Sequence, residues 1–84
     1  MKWTVVYRAA AEKDLADLWL GADDRNAVSA AADAIDRKLR TDPLNTGELL
    51  IDELRSVVEG PLEVAYHISE LDRLVSVWAV VLAE

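Results

Sequence analysis

Residues 62–69 alternate strictly in character. Leu62, Val64, Tyr66 and Ile68 point one way, and Glu63, Ala65, His67 and Ser69 point the other. That period of two marks a strand with one buried face and one wet face. Glu59-Gly60-Pro61 breaks the chain before it, and Glu70-Leu71-Asp72-Arg73 turns it after. Strand-like segments at Glu48–Val58 and Leu74–Leu82 flank it. The last third therefore reads as a three-stranded antiparallel meander, and everything upstream has to cover one face of it.

The upstream half is suited to that task. Lys2–Tyr7 (KWTVVY) is rich in β-branched and aromatic residues and reads as a strand with Trp3, Val5 and Tyr7 on one face. From Arg8 and the alanine run the period turns helical. Ala11, Leu15, Leu18, Trp19 and Ala22 form one apolar stripe, and Glu12, Lys13, Asp14 and Asp17 fall mostly on the wet side. Gly21 is placed to end this helix as a left-handed cap. Asp23 or Asp24 then caps a second helix whose stripe is Val28, Ala31, Ala32, Ile35 and Leu39. Arg37, Lys38 and Arg40 suit its C-terminal dipole, and Asp42-Pro43 stops it. Leu44–Gly47 reads as loop. Glu48–Val58 reads as one strand, with Leu50, Leu54 and Val58 on one side; helix is the competing assignment for it. The last strand is apolar on both faces, as in a central strand or an edge strand hidden by a partner. The expected fold is a single α+β domain over residues 1–84, of order β-α-α-β-β-β, with a helical hairpin packed on an antiparallel-rich sheet.

Composition excludes several classes. A chain of 84 residues buries roughly 60–65% of its unfolded surface, enough for one core without staples. There is no cysteine, hence no disulfide, thiolate metal site or cysteine nucleophile, which fits a reducing cytoplasm. No segment has the length of a membrane span, and the N-terminus lacks the pattern of a signal peptide. The net charge of −7 argues against general electrostatic binding to nucleic acid. The hydrophobic fraction of 52% is high for the length and suggests surface kept for a partner.

Several short motifs occur in a telling order. Ala11-x-x-Asp14-Leu15 opens the first helix. Ile35-x-x-x-Leu39-x-x-Asp42-Pro43-x-x-x-Gly47 closes the second. Arg55 is followed by Pro61-Leu62-x-Val64-x-Tyr66-x-Ile68 and by Arg73-x-Val75-x-Val77. Together these resemble the RelE/ParE superfamily of toxins from bacterial type II toxin–antitoxin systems, which includes plasmid-stabilisation proteins. The resemblance covers most of the chain. It implies a growth-inhibiting cytoplasmic toxin, neutralised by a cognate antitoxin whose C-terminal segment wraps the sheet and helices. It implies one of two targets. RelE-like members enter the ribosome and cut mRNA, whereas ParE-like members poison DNA gyrase.

Metal-free RNA cleavage needs a base near the 2′-OH, cations on the phosphate and an acid for the leaving oxygen. The resemblance nominates Arg55, His67 and Arg73 for these roles. Residues 79–84 offer no Arg, His or Tyr, where RelE-like enzymes carry an acid or base. Action on gyrase is therefore the favoured expectation. The alternatives are an mRNA endoribonuclease built on the three residues, and a non-toxic member that only binds partners. Each nominated residue also has a structural reading: Arg55 pairing with Glu53 or Glu63, His67 facing solvent, and Arg73 as a turn residue. No cofactor or metal is expected. Asp14/Asp17 and Asp33/Asp36 are carboxylate pairs without a second cluster. A homodimer would also hide the apolar last strand.

Overall fold

A computed structural model describes residues 2–83. Met1 and Glu84, the latter part of the C-terminal stretch considered above, lie outside the described residues. The order is β1 (Thr4–Tyr7), α1 (Ala9–Gly21), α2 (Arg25–Thr41), α3 (Pro43–Thr46), β2 (Glu48–Ile51), β3 (Leu54–Glu59), β4 (Leu62–Ser69) and β5 (Leu74–Leu82). The five strands form one sheet in the order β1-β5-β4-β3-β2. Only the β1–β5 pair is parallel. Both main helices lie in the connection from β1 to β2 and cover one face. The α+β fold and the helical hairpin on the sheet are as expected from the sequence.

The central strand sets the core. Leu62, Val64 and Tyr66 are buried, joined by Val57 from β3, Val75, Val77 and Val80 from β5, Val5 from β1, and Trp3 just before it. Val28, Ala31, Ile35 and Leu39 of α2 close over them. The small residue at 31 brings α2 close to the β3–β4 turn, where a Cβ added to Gly60 would lie 3.4 Å from the Ala31 Cβ. Gly60 itself has φ +53, a conformation that favours glycine. Lys38 of α2 pairs with Glu59 at the end of β3. The Trp3 amide donates to the Arg40 carbonyl at 2.8 Å, satisfying one of the carbonyls that α2 leaves open at its C-terminus. Asp24 caps the other end of α2 by accepting from the Ala27 amide.

Four expectations need correction. Glu48–Val58 is not one strand. It folds back at Asp52-Glu53 into β2 and β3, and Asp52 takes φ 52, which Asp tolerates better than most residues. The meander thus has four strands. Leu54 and Val58 do share a face, but it is the open one; Val57 enters the core, opposite Val64. Leu44–Gly47 is not all loop, because Pro43 begins the single turn α3. Asn45 donates to the Asp42 carboxylate and Thr46 to the Asp42 carbonyl. Gly21 is not a left-handed cap. It stays within α1, and the cap falls at Ala22 with φ −77. Finally, Asp14 is not simply on the wet side. Its carboxylate accepts from the Val80 amide of β5 at 3.3 Å.

That last contact has a topological cause. β1 pairs with β5 only as far as Val77, so beyond that point β5 has an open edge. A bulge at Trp78 shifts the β4–β5 register: Tyr66 faces Val77 while Ala65 faces Ala79. One extra residue on the open side returns Val80 to the core. Asp14 then ties the Val80 amide, which β1 is too short to reach.

Two variants test these constraints. A Cβ on Gly47 would overlap the Ser56 carbonyl oxygen and lie 2.7 Å from the Tyr66 hydroxyl. Its φ of −121 is ordinary, so the cost is steric alone. Gly47→Ala is expected to lose about 1–3 kcal/mol in urea unfolding monitored by circular dichroism. Asp14→Ala strands the Val80 amide and is expected to lose about 1–3 kcal/mol; an unchanged midpoint would show that the Asp14 contact with the Val80 amide does not stabilise the edge.

Candidate functional site

Tyr66 and Arg55 face each other across the β3–β4 pair, on the helix side of the sheet. Tyr66 is fully buried. Its hydroxyl donates to the Pro43 carbonyl at 3.0 Å. Burial is the main cause that raises its pKa; the Arg55 charge and the Gly47 amide act in the opposite direction. Arg55 reaches the same turn from the side and donates from Nη1 to the Leu44 carbonyl at 3.2 Å. Both side chains thus hold α3 against the sheet. Arg55 does not pair with Glu53 or Glu63. Glu63 instead accepts from Ser56.

His67, the next residue on β4, points to the open face. Its Nε2 lies 2.8 Å from Glu53 Oε2, across the end of the β2–β3 turn. Trp78 lies beside it, with ring centroids 6.3 Å apart and the planes tilted by 42°. On the far side of Trp78 the Arg8 guanidinium stacks 4.2 Å from the ring centroid. Glu53, His67, Trp78 and Arg8 therefore form a line across the open face. The sequence reading singled out His67 but missed its neighbours. Their juxtaposition depends on the parallel β1–β5 pairing and on the bulge at Trp78, and neither leaves a local signal.

The three nominated residues do not converge. Arg55 and His67 both line a notch beyond the start of β3, where β4 runs on past its neighbour. Leu44, Leu49, Ile68 and Leu71 supply its apolar wall, and Asp52, Glu53 and Glu70 its carboxylates. Arg73 lies elsewhere. It follows the β4–β5 turn with φ 49, and its guanidinium stacks 4.4 Å from the ring centroid of Trp3. Its carbonyl accepts from the Thr4 amide, which sets the start of the β1–β5 ladder.

A second concavity runs between α1 and α2, with a volume of about 590 Å³. Leu15, Ala16, Trp19, Leu20, Val28 and Ala32 line it, above Tyr7. The α1 stripe expected to be core is thus only half used. Ala11 is buried, but Trp19 is 39% exposed at the groove wall. Its indole N–H donates to Ser29 Oγ at 3.1 Å, joining the two walls. Arg25 stacks on the other side of Trp19 and donates to the Trp19 and Leu20 carbonyls, which closes the C-terminal end of α1.

Three of the four paired carboxylates are occupied as structural partners. Asp14 takes the Val80 amide, Asp17 pairs with Lys13, and Asp36 pairs with Arg40. Among the described residues, no three His, Cys, Asp or Glu side chains gather into a group that could hold a metal ion. No helix among them is long and apolar enough to cross a membrane.

No protein-family model matches the sequence, and no curated protein matches it. Solved structures do match in shape. A chain of the RelBE2 toxin–antitoxin complex from Mycobacterium tuberculosis superposes with a TM-score of 0.83 at 21% identity, covering 99% of this chain and 100% of that one. A chain of the chromosomal ParDE system from P. aeruginosa gives 0.77 at 10% identity, covering 98% and 97%. The isolated E. coli RelE toxin gives 0.70 at 13% identity, covering 98% and 85%. The fold is that of the RelE/ParE toxins. In this RelE/ParE fold the recognisable motifs are packing motifs: Tyr66 under α3, Asp14 on β5 and Val75-x-Val77 in the core.

The Tyr66 contact can be tested by pH as well as by substitution. A raised folded-state pKa means that its stabilisation is complete below the unfolded tyrosine value of about 10 and is lost as pH rises through the folded value. Tyr7, also raised by burial first and by Asp36 next, acts in the same direction. Stability should therefore fall in alkali from about pH 10 upward. Tyr66→Phe should lose about 1 kcal/mol at neutral pH and show a shallower alkaline decline. An equally steep decline would show that Tyr66 ionisation does not drive it.

Proposed function

We propose that this chain is the toxin of a type II toxin–antitoxin pair, held inactive by a cognate antitoxin, and that when free it acts through protein contacts on an essential machine, with DNA gyrase the favoured target. The likeness in shape spans nearly the full length of chains from toxin–antitoxin systems. The observation that carries the choice of target is the character of the notch. Arg55 and His67 share it with Asp52, Glu53 and Glu70. An RNA phosphate entering there would meet three carboxylates beside the one guanidinium of Arg55, in a protein already at −7. Phosphate binding needs the opposite balance. Exposed aliphatic side chains on β2 (Leu49, Leu50 and Ile51) and on the β4–β5 turn (Leu71) suit a protein surface instead.

A RelE-like mRNA interferase is the second reading. Its support is that Arg55 and His67 do line one hollow, while Arg73 stacks on Trp3 outside it. A third reading keeps the fold and the partner but no toxicity.

Expression in a bacterial host, with mRNA 3′ ends mapped in the same culture, separates the three. The expected outcome is growth arrest without codon-phased mRNA ends, together with inhibition of gyrase supercoiling by the purified protein at micromolar concentration. Codon-phased ends that disappear in Arg55→Ala would establish the interferase instead. Soluble, folded protein without growth arrest would leave the third reading.

A further inference from the structure

The α1–α2 groove is chemically uneven along its length, and the unevenness says what fits it. At the end near the interhelical turn, Trp19 and Leu20 expose large apolar surface. Glu12 and Asp33 line the other part. Glu12 lies about 13 Å along α1 from Gly21, and Asp33 about 12 Å along α2 from Arg25, at 1.5 Å per residue. Among the described residues they are the only charged side chains lining the groove, and both are acidic. Asp33 and Asp36 also raise the pKa of Tyr7, behind the larger effect of its burial. Asp36 is engaged with Arg40, whereas Asp33 is exposed. Arg25, at the turn end, is committed to the Trp19 ring and to two carbonyls.

The backbone argues for a helix as the occupant. The walls are helices whose amides are satisfied within themselves, so the groove offers side-chain contacts and no ladder for an added strand. An extended peptide would turn its own amides toward apolar walls without partners, at a cost of several kcal/mol. A helix brings its backbone already bonded. A second copy of this chain is a poor occupant, because each copy carries net charge −7 and would set carboxylate against carboxylate.

We propose that the groove takes a cationic amphipathic helix of a partner, docked in one direction, with Lys or Arg against Glu12 and Asp33 and large apolar side chains against Trp19 and Leu20. The inference rests on the reading above that the chain works with a partner protein, and it specifies the polarity of that partner. The docking segment is basic where this chain is acidic, so association is steered by charge and weakened by salt.

Two synthetic helical peptides of about 16 residues, long enough to span α1, test this. They share one apolar stripe and differ only in carrying two Lys or two Glu at the same end. Binding to the full chain is read by fluorescence anisotropy at about 50 mM and about 500 mM salt. The Lys peptide should bind about tenfold tighter than the Glu peptide at low salt, as two rim pairs allow. The gap should shrink at high salt. The order should invert in the Glu12→Lys/Asp33→Lys variant, whose two sites are exposed, and Trp19→Ala should weaken the Lys peptide. Equal affinities, preference for the Glu peptide, no binding of either up to about 1 mM, or a preference untouched by the double variant would each overturn the proposal. The growth assay above is independent. A chain that binds the Lys peptide without arresting growth keeps this inference and loses the toxin reading.

Discussion

The Tyr66 hydroxyl, buried in the middle of the sheet, donates to the carbonyl of Pro43. Much of the molecule depends on that contact. A phenol placed under 0% exposure needs a partner, because an unmet buried donor costs about 1–3 kcal/mol. The partner lies in the connection between the helical layer and β2. Asp42-Pro43 therefore has to stop α2 directly above β4, and α3 has to fold as one turn so that its carbonyls point inward. Gly47 must then carry no side chain, since the Ser56 backbone and the Tyr66 hydroxyl fill the space. Arg55 reaches the neighbouring Leu44 carbonyl and holds the same turn from the side. A run that looks like a signature in sequence, Pro43, Gly47, Arg55 and Tyr66, is one packed unit in space.

The opposite edge is governed by a shortage. β1 is too short to cover β5 beyond Val77, and the bulge at Trp78 changes the register there. Asp14 meets the Val80 amide and so blunts the edge where another strand would otherwise add. The bulge also exposes Trp78, which Arg8 and His67 flank on the open face. One topological limit thus accounts for the role of an acidic helix residue and for the aromatic line across the open face.

What was legible in the sequence follows from the range of each interaction. The alternation at 62–69 gave β4 its face and burial, because period two is local. The stripe at Val28, Ala31, Ile35 and Leu39 placed α2 correctly for the same reason. The β2–β3 turn was hidden because Asp52-Glu53 carries no glycine, and Leu50, Leu54 and Val58 mimic one continuous face. Gly21 misled as a cap because the helix ends one residue later in an ordinary conformation. At the site, the facing of His67 could be read from parity. Its pairing with Glu53, and the stacking of Arg8 on Trp78 and of Arg73 on Trp3, could not. The two stackings join segments distant in sequence, one of them depends on a bulge, and the Glu53 pairing depends on a β2–β3 turn that carries no local signal.

Charge connects both concavities to function. The notch sets Arg55 and His67 among three carboxylates, and the groove lines its polar part with Glu12 and Asp33. In neither place does the excess of acid serve the core, since these carboxylates surround surfaces that the fold leaves uncovered. A protein whose partner were a phosphate backbone would lose affinity at every such carboxylate. One whose partner is a basic helix gains in encounter rate and in selectivity, because acidic competitors are repelled. The acidic balance that argues against RNA at the notch is the same property that selects a basic helix at the groove, so both surfaces favour protein over nucleic acid as the molecule they meet.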